Sequence, residues 1–76
     1  MQPEEVKQVL QEQMPDCQIS VESEGGHYRI VAIGEIFEGL RAVKRQQLIY
    51  AALNSHIASG AIHAVYITAK TPAEVQ

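Results

Sequence analysis

Between Pro3 and Met14 apolar residues return at intervals of three and four. Val6, Val9, Leu10 and Met14 share one side, and Glu4, Glu5, Lys7, Gln8, Gln11 and Glu12 fill the other. That period predicts an amphipathic helix. Pro3 suits the first helical position, Glu4 and Glu5 complement the dipole there, and Pro15–Asp16 ends the element. From Gln18 the period drops to two: Ile19 and Val21 alternate with Gln18, Ser20 and Glu22, which predicts a half-buried strand. SEGG supplies a turn, because Gly25 and Gly26 adopt positive φ at little cost. HYRIVAIG is a second strand, and its unbroken run from Ile30 to Ile33 makes it the central one.

Gly34 ends that strand, and EIFEGL is a connector from which Phe37 reaches the core. AVKRQQLIYAALNSHIAS predicts a longer helix with Val43, Leu48, Ala52, Leu53 and Ile57 as its inner stripe, Ile49 and Tyr50 at its margins, and Gly60 as its C-terminal cap. AIHAVYITAK is a third strand. Thr71, Pro72 and Glu74 then have the form of a capped helix start, expected to be truncated or vestigial after 72. Repeats and interdomain linkers are absent, so residues 1–76 are expected to form a single domain.

The order α-β-β-α-β constrains the topology. A hairpin pairs the first two strands antiparallel, and a right-handed crossover makes the third parallel to the second. The fold class is therefore α/β (α+β), with a three-stranded mixed sheet in the order 1-2-3 and helices on one face. Strands two and three begin at the same edge, about 4.8 Å apart. His27 stands at the mouth of one and His63 at the mouth of the other. The long helix returns His56 to that edge, whereas Cys17 precedes a strand that starts at the opposite edge.

Composition changes this picture in three ways. Phe37, Tyr28, Tyr50 and Tyr66 are the only aromatics, so Val, Ile, Leu and Ala must build most of the core. Nine acidic against six basic residues give a net charge of -3, which discourages tight binding to a phosphate backbone. Arg41, Lys44 and Arg45 nevertheless cluster at the start of the long helix, where positive charge opposes the dipole and points to an acidic partner, or else a plain solvated face. The single cysteine cannot form an internal disulfide, and no run approaches the roughly 20 apolar residues of a membrane span. A cytoplasmic protein without membrane attachment is expected, with no secretory leader in view.

Nucleophile triads, phosphate-cradling glycine loops and carboxylate pairs in a common pocket are missing, which argues against an enzyme. A closed structural zinc site wants four protein ligands, and this rim offers three histidines at most. A metal centre completed by a partner's thiolates needs only one or two. Taken singly, His63 reads as a ligand or as a strand histidine bonded to a carbonyl. His27 reads as a ligand or an exposed loop residue, and His56 as a favourable cation at a helix C-terminus. Cys17 lies beyond a helix C-terminus without a neighbouring cation, so it reads as a small buried hydrophobe.

GGHYRIVAIGEIFEGLRAVKRQQLIY, followed by GAIHAVYITAKTPAE, resembles the BolA family, in particular its short bacterial branch, from about Pro3 to Glu74. The resemblance implies a fold like the class II KH domain. It also implies partnership with a monothiol glutaredoxin bearing a CGFS site, and a [2Fe-2S] cluster shared through the glutaredoxin cysteine, glutathione and nitrogen ligands from the BolA-like chain. None of the cluster is expected to stay on the isolated protein. The family's invariant histidine before the last strand matches His63. Its second ligand, cysteine in some branches and histidine in this one, matches His27. Some members resemble transcriptional regulators, linked to acid stress, which makes DNA contact through Arg41, Lys44 and Arg45 the second reading. The G-x-x-G loop of nucleic-acid-binding KH modules is missing here. A cofactor-free adaptor is the third reading, and weak self-association is left open.

Overall fold

The computed structural model describes residues 1–75. The chain runs through α1 (Pro3–Gln13), β1 (Gln18–Glu24), β2 (His27–Ile33), a 3₁₀ turn (Glu35–Phe37), α2 (Ala42–Ala58), β3 (Ala64–Lys70) and α3 (Pro72–Val75). The sheet order is β1-β2-β3, antiparallel then parallel, as the element order requires. Gly25 and Gly26, at φ 58° and 84°, form the two-residue hairpin between Glu24 and His27. Positive φ at both central positions matches the right-handed twist of the flanking strands.

Alternation sorts the strands cleanly. Tyr28, Ile30 and Ala32 of β2 are buried with Ile19 of β1, while His27 and Arg29 face outward. α1 contributes Val6, Leu10 and Met14, the connector contributes Phe37, and α2 contributes Ile49 and Leu53. Both long helices thus cover one face of the sheet and leave the other open. No helix among the described residues is long and apolar enough to cross a membrane.

Two expectations need correction. Val43 is 67% exposed and Leu48 38%, whereas Ile49, assigned to the margin, is fully buried. The true stripe is Arg45, Ile49, Ala52, Leu53, His56 and Ile57, all buried or half-buried. Its first turn is an arginine, so a search for apolar side chains slips onto Val43 and Leu48. The second correction concerns β3, which begins at Ala64 and not at Ala61. β2 has no residue before His27 with which Ala61–His63 could pair, because the glycine turn leads the chain away. Ile62, 2% exposed, instead plugs the core, and its N–H donates to the His56 carbonyl at 3.2 Å.

The end of β3 is secured from outside the sheet. The Thr71 N–H donates to Glu74 Oε1 at 2.7 Å, and the Glu74 N–H to Thr71 Oγ1 at 3.3 Å. This reciprocal capping box is the one the TPAE segment predicts.

Candidate functional site

In the parallel ladder His27 is the partner of Ala64. His63, one residue earlier, therefore stands beside the start of β2, and the two residues share a rim despite their distance in sequence. The bond from Ile62 to His56 ties the last turn of α2 to the same loop. All three histidine backbones thus converge at one end of the domain. His27 and His63 are exposed and His56 is half-buried.

Convergence does not make a closed metal site. Among the described residues, no group of three or more His, Cys, Asp or Glu is arranged to hold an ion. The rim offers at most two exposed nitrogen donors, which fits a centre whose remaining ligands arrive with a second molecule and does not fit one held by this chain alone.

A neighbour that sequence reading passed over defines one of these imidazoles. The His27 ring stacks on Tyr66, with centroids 6.0 Å apart and planes 12° from parallel. Tyr66 pairs with Arg29, so it lies on the open face two residues beyond Ala64, diagonal to His27. Strand alternation reaches Tyr66 by counting two from the partner of His27, but that partner is fixed only by the register of the folded sheet. With Glu22, Glu24 and Arg29, the two rings line a shallow cleft of about 480 Å³.

Cys17 occupies the other end. It is 6% exposed beside the start of β1, and burial, aided by the Asp16 charge, pushes its thiol pKa up. Buried and far from the histidine rim, it behaves as the small hydrophobe expected. Its Sγ packs against Gly34, where a Cβ would lie only 2.4 Å from the sulfur.

The basic cluster divides. Arg41 and Lys44 are exposed. Arg45 is not free to meet an anion: its Nε donates to the Leu40 carbonyl at 2.8 Å, and its Nη1 to the Ala69 carbonyl at 3.1 Å. The same guanidinium holds Glu74 at 2.6 Å and 3.2 Å. The stripe position of Arg45 on α2 explains this, since it aims the side chain at the end of β3.

Comparison with known proteins agrees with this architecture. The chain is 40% identical over 74 residues to the acid stress protein IbaG of Escherichia coli K12, covering 97% of this chain and 88% of that one. A BolA homologue from Coxiella burnetii superposes with a TM-score of 0.86 at 33% identity, over 99% of this chain and 96% of the other. The BolA domain of SufE1 from Arabidopsis thaliana gives 0.83 at 30% identity, over 95% and 93%. The family model of the BolA-like proteins matches residues 2–74, and the chain belongs to that family.

Proposed function

We propose that this chain is a cytoplasmic adaptor that docks a monothiol CGFS glutaredoxin and contributes His63 and His27 to a glutathione-supported [2Fe-2S] cluster held between the two proteins. The observation that carries the reading is the pairing of His27 with Ala64, which sets two exposed imidazoles at neighbouring strand starts. The donor set supports a shared centre: two nitrogens on this side, with thiolates left to the partner and glutathione. The role of the chain is to trap, modify or hand on the glutaredoxin's cluster, in cluster trafficking and stress response. Imidazole in place of thiolate leaves the cluster less negative and raises its potential, as in Rieske centres. Protonation of imidazole competes with ligation, so the bound state weakens in acid. That property suits a role in acid stress, the role in the name of the relative IbaG.

DNA binding ranks second. With Arg45 engaged inside the fold, Arg41 and Lys44 are what remains of the cationic cluster, on a chain of net charge -3.

The test is visible circular dichroism of the chain mixed with cluster-loaded CGFS glutaredoxin and glutathione. The mixed complex should show a spectrum distinct from that of the glutaredoxin alone, and His63→Ala and His27→Ala should each abolish or alter it. A complex that forms equally well with both histidines replaced and a chelator present would reduce the chain to a cofactor-free adaptor.

A further inference from the structure

We infer that Tyr66 is a positioning residue for His27: its ring holds the His27 imidazole in one plane and thereby aims the ring nitrogens before any partner arrives. The inference rests on the cluster reading above and names the part of this chain that prepares the ligand.

The lone pair of an imidazole lies in the ring plane, so a ligating histidine must present an edge. A neighbour at the edge competes with the metal, whereas a neighbour on the face does not. With centroids 6.0 Å apart and planes 12° from parallel, the rings form an offset stack in which Tyr66 borders the face of His27. This contact favours one ring plane, and both residues line the same cleft.

His27 needs such a support. It is exposed and follows directly on a two-glycine turn, so its own surroundings restrict its side chain little. Tyr66 sits mid-strand in β3, where the ladder to Arg29 fixes its backbone. With both backbones held by the sheet, the stack orders the exposed His27 side chain before docking, which is how preorganisation favours binding. Nor does Tyr66 serve the core. It is 60% exposed, in contrast to Tyr28, which is 6% exposed and donates its hydroxyl to the Met1 carbonyl. The phenol oxygen plays no part in a face contact, so phenylalanine should replace tyrosine and an aliphatic residue should not.

The experiment compares Tyr66→Phe and Tyr66→Leu. In the free protein, NMR should show the His27 ring protons shifted by the Tyr66 ring current in wild type and Tyr66→Phe, with that shift lost in Tyr66→Leu. In the mixed complex, Tyr66→Phe should keep the wild-type visible dichroism. Tyr66→Leu should move it toward the His27→Ala spectrum and release iron to a chelator several-fold faster. Denaturation midpoints measured alongside separate a purely structural role, which would lower the midpoint of Tyr66→Leu without moving the spectrum. A wild-type spectrum in Tyr66→Leu, with His27→Ala altered, overturns the inference and leaves the cluster reading intact. If neither histidine variant changes the spectrum, the cluster reading fails and the inference falls with it.

Discussion

Arg45 and Glu74 meet at two points, Nη1 on Oε1 at 2.6 Å and Nη2 on Oε2 at 3.2 Å, and so clasp the start of α2 to the segment after β3. Hydrogen bonds from the guanidinium, then from the Thr71 N–H, lower the Glu74 carboxyl from its ordinary 4.5 to about 2. A depressed folded-state pKa adds stability that is complete above the unfolded value and disappears as pH falls through the folded one. The urea midpoint of wild type should therefore exceed that of Glu74→Gln at neutral pH, and the gap should close between pH 4.5 and about 2. Subtracting the variant removes the other carboxylates from the comparison. A gap independent of pH across that window would contradict the ion pair.

Gly34 and Cys17 form a second close pair. A methyl group at Gly34 would lie 2.4 Å from Cys17 Sγ and 3.3 Å from its Cβ. Overpacking of this kind costs about 1–3 kcal/mol, so Gly34→Ala should lower the denaturation free energy by that order. In a Cys17→Ala background the sulfur is gone and the same substitution should cost clearly less. Strict additivity in this double-mutant cycle would show that the two residues do not collide.

The phase of α2 is open to direct measurement. Ile49 is fully buried and Leu48 is 38% exposed, although the two are adjacent. Ile49→Ala should cost about 2–5 kcal/mol and Ile49→Val about 0.5–1.5, the milder change keeping the comparison available if the first variant unfolds. Leu48→Ala should cost at most about 1 kcal/mol. Equal losses at the two positions would restore the stripe read from apolar residues alone.

Thiol chemistry gives a fourth expectation. Cys17 is buried, and its pKa is raised first by burial and then by the Asp16 charge. A thiol reagent at neutral pH should label the native chain far more slowly than the same chain in urea. Rapid labelling under native conditions would place the sulfur at the surface.

Much of the site was legible because topology needs only element order. Two glycines, a strand that starts at a histidine and a helix of crossover length were enough to bring His27 and His63 to one rim. The stack on Tyr66 and the loss of Arg45 to Glu74 were not legible, for different reasons. The stack depends on register, which decides that Ala64, and not His63, stands opposite His27. The Arg45 bonds depend on the phase of α2 against β3, and an arginine at the head of a buried stripe disguises that phase.

The order of residues alone therefore determined the elements, their sequence along the sheet and the edge at which the imidazoles collect. These follow from local periodicity, turn chemistry and chain handedness. Packing between distant segments decided which face of α2 turns inward, which cation is occupied and which ring supports His27. Each of those outcomes is set by a few ångströms of register or rotation between elements, and no local pattern of apolar and polar residues encodes them.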